Sequence, residues 1–212
     1  MKHAIELNPN YATAHVWYGE CLSAMKRHAE GMAEVQRAQQ LDPLSPVTSF
    51  GVVLYGYFYP RQYDQAIRRL RDTVSLFPQF ALSYVYLGHT YMASGKYQEA
   101  IVAYQKARSL SGASAAEVAA LGQACAKGGI RGYYLWELGR LREESKHRYV
   151  SAAAFAYLFA GLGEKDQAFS YLEKAYEERD AVLTYLQIAP AFDPLRSDPR
   201  FQDLLRRMNF PP

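Results

Sequence analysis

The sequence of 212 residues predicts an all-α protein in which antiparallel helix pairs stack into an α-solenoid that ends in a capping helix. The first reason is internal repetition with a period of about 34 residues. Four bulky residues keep this step (Leu70, Tyr104, Leu138, Leu172), and three glycines keep it as well (Gly95, Gly129, Gly163). The second reason is that apolar residues inside each unit recur at helical spacing. One helix pair cannot bury its own apolar face, so neighbouring pairs must stack on one another.

The pattern is most complete between residues 81 and 114. Tyr84, Leu87 and Tyr91 recur at helical spacing and give a first helix one apolar stripe. Gly88 is small, so the second helix can approach closely. Gly95 lies between the two apolar segments and supplies a residue that turns freely. The segment therefore predicts two short helices joined by a tight turn.

This segment resembles one tetratricopeptide repeat, whose spacing is aromatic-x₂-Leu-Gly-x₂-Tyr followed by Ala-x₃-aromatic. Ala100, Tyr104 and Ala107 complete the match, and Gly112 takes the place of the usual proline. The resemblance extends over about residues 1–180. It implies a right-handed superhelix in which the first helix of each pair lines a concave groove for a partner protein.

In chain order, residues 1–10 are interpreted as the end of a repeat, because Ala4 and Pro9 occupy the places of Ala38 and Pro43. We expect a fragment of a longer polypeptide or a truncated gene model. The predicted single array then consists of five repeats and a cap: 12–45, 47–80, 81–114, 115–148 and 149–180, followed by 181–212.

Repeat two departs from the pattern in its first helix. The run from Val52 to Tyr59 is continuously apolar and would also suit a buried β-strand. The repeat period on both sides favours a helix, which Pro60 should end.

The C-terminal tail predicts a capping helix. Asp198 is a suitable N-cap and Pro199 a suitable first helical residue. Phe201, Leu204, Leu205 and Met208 then share one apolar face. Residues 160–212 resemble the C-terminal arm of bacterial multidomain proteins that join such repeats to winged-helix, kinase or cyclase-like domains. The resemblance implies a sensory or docking arm of a larger regulator.

Composition excludes several classes of protein. A net charge of +3 is too small to indicate a nucleic-acid or membrane-surface partner. No segment is long and apolar enough to span a membrane, and the start lacks the apolar core of a secretory signal. We therefore predict a cytoplasmic protein. Cys21 and Cys125 lie three repeats apart, too far for an internal disulfide.

The sequence predicts neither an enzyme nor a metal or cofactor site. The five histidines are dispersed, and no His-x₃-His or Cys-x₂-Cys pattern occurs. Glu143 and His147 are four residues apart, and an exposed ion pair is the preferred interpretation.

The resemblance implies that the first helices line the groove, and stepping by three or four residues along one face of each of them gives the candidate binding residues. They are Glu20, Tyr55, Phe58, His89, Met92, Gln123 and Tyr157. We expect Tyr55 and Phe58 to be partly exposed and to act as aromatic anchors for a partner. The alternative is that both are buried between helices and line nothing.

Three functions remain open at this point. The first is a module that binds a protein or peptide segment in an apolar groove. The second is a small-molecule-sensing arm of a transcriptional or signalling regulator. The third is RNA binding, because pentatricopeptide repeats have nearly the same period. Self-association through residues 1–25, around Trp17 and Tyr18, is also expected, because this face lacks a preceding helix.

Overall fold

The computed structural model describes residues 1–210, and every regular element in that range is helical. The chain divides into two compact units, Met1–Ala115 and the residues from Ala116 onward. The helices of the N-terminal unit are α1 (Lys2–Leu7), α2 (Ala12–Ala24), α3 (His28–Leu41), α4 (Pro46–Val53), α5 (Tyr63–Leu76), α6 (Ala81–Ala93) and α7 (Tyr97–Leu110). A π-helix, Leu54–Phe58, continues α4. The predicted all-α class is confirmed.

In the C-terminal unit, α8 (Ala115–Glu144) begins at the boundary residue and is interrupted at Gly129. It is followed by α9 (Ala152–Leu162), α10 (Lys165–Glu177) and α11 (Pro199–Arg207). Two 3₁₀ helices, Ala181–Tyr185 and Pro190–Leu195, connect α10 to α11.

Helix pairs in the N-terminal unit close on one another through glycines. A Cβ atom added at Gly19 of α2 would lie 2.7 Å from Val35 Cγ1 of α3. One added at Gly88 of α6 would lie 2.5 Å from the Tyr104 ring of α7. Both distances are shorter than van der Waals contact, so α2–α3 (repeat one) and α6–α7 (repeat three) require glycine at these positions.

The turn between the two helices of each pair uses one left-handed residue. Five residues that follow one another at steps of 34 or 35 all have positive φ: Lys26 (61°), Arg61 (65°), Gly95 (73°), Gly129 (55°) and Gly163 (80°). Glycine adopts this conformation without a steric penalty. The predicted glycine turns are therefore confirmed, and the first two repeats place a basic residue where the later ones have glycine.

The π-helix accounts for the extra residue of repeat two (α4, the π-helix and α5). From repeat one to repeat two, the first helix starts 34 residues later (Ala12 to Pro46), whereas the second starts 35 residues later (His28 to Tyr63). The additional residue therefore lies within the first helix. There the Tyr59 amide donates to the Leu54 carbonyl five residues earlier, at 3.1 Å. Widening one turn is how a helix accommodates a single inserted residue. The prediction that the apolar run from Val52 to Tyr59 is helical is confirmed.

The capping helix α11 lies against α10. Phe201 and Leu204 are fully buried. The Arg200 guanidinium is 4.1 Å from the Phe169 ring centroid, and Arg200 Nη1 donates to Asp166 at 2.8 Å. Seven residues later, Arg207 repeats this arrangement on Tyr176 (4.3 Å) and Glu173 (2.8 Å). Asp198 accepts from the Arg200 amide at 3.0 Å, as its predicted N-cap role requires.

Candidate functional site

The centre of the N-terminal unit is a continuous aromatic cluster that joins repeats two and three. Its members make ring contacts with centroids 5.1–5.8 Å apart: Phe50–Tyr86, Phe50–Phe80, Phe58–Tyr86, Phe58–Tyr59, Tyr86–His89 and His89–Tyr104. Most of the contacts are edge-to-face, which is a favourable geometry for aromatic pairs. Tyr86 of α6 is the hub of this cluster.

Tyr55 and Phe58 are buried, each with 6% of its surface exposed. Our expectation that they would be partly exposed is therefore wrong. Phe58 is covered by the Tyr86 ring of the next repeat, 5.4 Å away, and Tyr55 stacks on Tyr59 at 5.9 Å. The aromatic residues of repeat two thus serve packing between repeats, and a partner cannot reach them without displacing other rings.

Glu20, His89 and Met92 are the candidate residues of this unit that stay half-buried. Tyr86 brings the first two into one neighbourhood. Its ring lies 5.4 Å from His89. Burial raises the pKa of the Tyr86 hydroxyl, a hydrogen bond with Tyr59 opposes this, and the Glu20 carboxylate adds to the increase. A negatively charged side chain and an imidazole ring therefore lie beside Tyr86, and Met92 follows His89 by about one helical turn.

His89 is held by the second helix of its own repeat. Its Nδ1 atom and the Tyr104 hydroxyl are 2.9 Å apart. Burial lowers the pKa of His89 to about 4, because an imidazolium would lose its hydration there. The ring is therefore neutral at pH 7.

The other two candidates belong to the C-terminal unit. Gln123 on α8 is exposed, and Tyr157 on α9 is half-buried. The Tyr157 ring packs edge-to-face on Tyr134, with 6.1 Å between centroids. Tyr134 in turn occupies the space beside Gly161, where an added Cβ would lie 2.2 Å from the Tyr134 ring. Their role in binding stays a prediction.

The sequence analysis did not identify Phe50 and Tyr86, whose rings join repeats two and three in the aromatic cluster. Val16, the fifth residue of α2, corresponds to Phe50, the fifth residue of α4. The sixth residue of the following first helix packs on each of them: Gly51 on Val16, and Tyr86 on Phe50. An added Cβ at Gly51 would lie 3.3 Å from Val16, just as Tyr86 contacts Phe50. The sequence predicts this pairing of positions five and six when the inserted residue is placed after Val53 and not before it.

Trp17 holds the same position as Gly51 and Tyr86 but has 49% of its surface exposed. Gly51 and Tyr86 each pack on a preceding first helix, and Trp17 has none in this chain. Leu7 and Tyr11 nearby are also exposed, at 74% and 45%. Exposed apolar side chains are therefore present at this end, and association through them stays a prediction.

Other functional groups are sparse in residues 1–210. Both thiols are free, and burial raises the pKa of Cys21 and of Cys125. Nowhere in this range do three or more His, Cys, Asp or Glu side chains converge as metal ligands would. None of the helices there meets the length and hydropathy needed to cross a bilayer.

Comparison with known proteins supports the tetratricopeptide resemblance. Residues 81–111 match the tetratricopeptide repeat family. Over 88 residues, 42% of this chain, the sequence is 33% identical to the small glutamine-rich tetratricopeptide repeat-containing protein 2 of Mycosarcoma maydis. The matched region spans a quarter of that relative's length.

Among solved structures, the Cut9–Hcn1 hetero-tetramer of the APC/C aligns over 97% of this chain and 44% of its own, with a TM-score of 0.60 and 16% identity. MamA aligns over 87% of each chain, with a TM-score of 0.44 and 20% identity. The predicted all-α fold class, built from antiparallel helix pairs, is confirmed.

Proposed function

We propose that this chain is a protein-interaction module whose N-terminal unit binds a segment of a partner protein along its first helices. The observation that carries the proposal is that Glu20 and His89 are half-buried beside Tyr86 of the aromatic cluster, with Met92 half-buried about one turn further along α6; we call these three residues the rim. A rigid apolar floor with a few polar groups at its edge is the composition of sites that bind peptide segments. The Cut9–Hcn1 structure, which contains two different proteins, supports a module of this class.

The rim suggests the chemistry of the partner. Glu20 is the only charged residue among the predicted groove residues. Its carboxylate favours a lysine or arginine on the partner segment. Met92 offers a flexible thioether that adapts to an apolar side chain. Leu82, on the same face of α6, is 41% exposed and extends the apolar surface. We therefore expect a segment that carries a basic residue followed by apolar ones.

Substitution of the rim tests the proposal. A partner is recovered by affinity capture with the whole chain, and its binding segment is reduced to a synthetic peptide. We expect Glu20→Lys and Met92→Glu each to weaken the binding of that peptide by about tenfold or more. Arg68→Glu, on the exposed side of α5, is the matched control and should change the affinity by less than about twofold.

Folding must be checked independently of binding. Circular dichroism and thermal unfolding of each variant should match those of the wild type. If the rim variants fold normally and bind the peptide with unchanged affinity, the first helices of the N-terminal unit are not the binding surface.

We also propose, from the resemblance of residues 160–212, that the chain is the docking arm of a larger bacterial regulator that acts in the cytoplasm. The C-terminal unit suits such a role because α11 covers α10 through two buried apolar residues and two arginines, which gives the arm a closed end. Sequencing the complete open reading frame tests this proposal directly. A winged-helix, kinase or cyclase-like domain in the same frame supports it, and a frame without any effector domain contradicts it.

Self-association through the N-terminal surface is a separate proposal. Trp17, Tyr11 and Leu7 form an exposed apolar surface of the kind that promotes association. Sedimentation of the wild type and of Trp17→Glu tests it. We expect the wild type to form dimers at high concentration and the variant to stay monomeric, and a monomeric wild type at millimolar concentration contradicts the proposal.

A further inference from the structure

An open cleft lies on α6 and α7, away from the predicted groove. Its volume is about 620 Å³. The lining residues are Tyr84, Leu87, Tyr91, Gln98, Glu99, Val102, Ala103 and Lys106. Its floor is apolar, and its charged groups lie at the two ends of the α7 wall.

The cleft and the predicted groove are on different faces of α6. With 3.6 residues per turn, His89 lies roughly opposite the face formed by Tyr84, Leu87 and Tyr91, whereas Met92 lies about 80° from Tyr84. A ligand in the cleft is therefore centred on a different side of α6 from His89. Arg71 Nε donates to the Tyr91 hydroxyl at 3.0 Å and fixes this ring at the cleft edge.

Repeat one has a polar contact at the place that corresponds to this cleft. Tyr84 corresponds to His15 and Ala103 to Glu34, and there the His15 Nδ1 atom lies 2.6 Å from Glu34 Oε2. His15 Nε2 is also 3.0 Å from the Pro9 carbonyl oxygen. A buried polar contact thus occupies the space that is open in repeat three.

Repeat two has charged residues at the corresponding wall. Val102 and Ala103 of α7 correspond to Arg68 and Arg69 of α5. The helix pair therefore does not require an apolar residue here, and yet Val102 is 66% exposed. An exposed valine at this wall, where repeat two has an arginine, indicates a use other than folding.

The shape and charges of the cleft indicate its ligand. The floor residues Tyr84, Leu87 and Tyr91 follow i, i+3, i+7 spacing, which matches the apolar stripe of another helix. Glu99 and Lys106 are seven residues apart on α7, or about 10 Å at 1.5 Å per residue. Both are exposed, and neither makes an ion pair within residues 1–210.

We propose that this cleft is a second docking site, which binds a two-turn amphipathic helix carrying a basic residue at one end of its apolar stripe and an acidic residue at the other. The basic residue pairs with Glu99 and the acidic residue with Lys106. The apolar stripe packs on the floor and against Val102. The site does not depend on the groove proposed above.

Designed peptides test the site without a known natural partner. Three helical peptides of about 15 residues share one leucine stripe and differ in the two flanking charges: Lys and Glu, Lys and Lys, or Glu and Glu. Each is titrated into the full ¹⁵N-labelled chain. We expect the Lys/Glu peptide to bind the wild type best and to shift the amide signals of Val102 and Tyr84.

Charge reversal supplies the specific readout. Glu99→Lys should bind the Glu/Glu peptide about tenfold more tightly than the other two, and Lys106→Glu should prefer the Lys/Lys peptide by a similar factor. Both Glu99 and Lys106 are exposed, so folding should not change. Arg68→Glu, at the α5 position that corresponds to Val102, should leave the wild-type preference unaltered.

Three results overturn the proposal. The first is binding whose charge preference does not follow the two reversals. The second is a set of signal shifts at Glu20 and Met92 in place of Tyr84 and Val102, which assigns the peptides to the groove. The third is the same shifts on concentrating the protein alone, which identifies the cleft as a contact between copies of this chain.

Discussion

The first helices of repeats two and three both pack tightly against neighbouring helices, but they do so with different helix geometries. In α6 a regular α-helix places Gly88 beside Tyr104, and a Cβ at that position would lie 2.5 Å from the ring. In repeat two no glycine stands at the equivalent position. Instead the helix widens into the π-helix Leu54–Phe58 and packs Tyr55 and Phe58 into the aromatic cluster.

The difference shows that the repeat tolerates a change of helix geometry where the neighbouring repeat supplies matching surface. Tyr86 covers Phe58, and Gly56 lies so close to α3 that an added Cβ would be 2.3 Å from Met32 Sδ. The inserted residue therefore lies between two parts of this helix. The residues before it keep the spacing that packs on repeat one, and the residues after it keep the spacing that packs on the second helix of repeat two.

The largest expected effect comes from deleting one residue in each helix. Deleting His89 turns one half of α6 by about 100° and misplaces either Leu87 or Tyr91. We expect a loss of roughly 4 kcal/mol or more of unfolding free energy. Deleting Tyr57 of the π-helix removes the extra residue and restores a regular helix, with an expected loss of less than about 2 kcal/mol.

The two tryptophans make this comparison measurable, because Trp17 lies in the N-terminal unit and Trp136 in the C-terminal unit. In a Trp136→Phe background, denaturant unfolding followed by fluorescence reports on the N-terminal unit alone. Equal losses for the two deletions contradict the assignment of the π-helix to an insertion.

Overpacking of repeat three is the next largest effect. Gly88→Leu should destabilise the N-terminal unit by about 1–3 kcal/mol or more, because the Tyr104 ring must move. Gly139→Ala is the control, since nothing lies within 4 Å of an added Cβ there. It should be neutral or stabilise by up to about 1 kcal/mol. Wild-type-like melting of Gly88→Leu means that the two helices are paired in a different register.

A pH dependence should come from His89. Its folded pKa of about 4 is below the ordinary value near 6.5, so the unfolded chain binds more protons between these values. Stability is therefore complete above about pH 6.5 and declines as the pH falls towards 4, by on the order of 1–3 kcal/mol. His89→Gln should flatten this part of the profile, whereas His3→Gln, at an exposed site, should not.

The smallest effect concerns the turns. Lys26 has positive φ where repeat three has Gly95. Lys26→Gly should stabilise the N-terminal unit by up to about 1 kcal/mol, and Gly95→Ala should destabilise it by a similar amount. Urea unfolding measures both. The same sign for the two changes contradicts a shared left-handed turn position.

Much of the fold was predictable because it depends on local signals. The helix pairs follow from apolar spacing, and the turns at Gly95, Gly129 and Gly163 follow from glycines at a fixed step. The 35-residue distance from Pro43 to Pro78 also revealed an extra residue in repeat two. The position of this extra residue was not predictable, because an insertion anywhere in α4 or the turn after it gives the same 35-residue distance.

The candidate site was predicted less well, because burial depends on contacts between repeats. Tyr55 and Phe58 have the residue types of binding anchors, and only the ring of Tyr86 from the following helix shows that they are covered. Glu20, His89 and Met92 are half-buried, and their role in a binding groove stays a prediction. The cleft on α6 and α7 carries no motif and is evident only when the two helices are packed together.

The most direct test of the proposed function is site-specific photo-cross-linking to the partner segment. A benzophenone side chain replaces Met92 on the groove face or Arg68 on α5 in otherwise unchanged protein. We predict that the segment cross-links at position 92 and that the yield at position 68 stays at background. Cross-linking at position 68 with none at position 92, in protein that folds and binds normally, contradicts binding along the first helices.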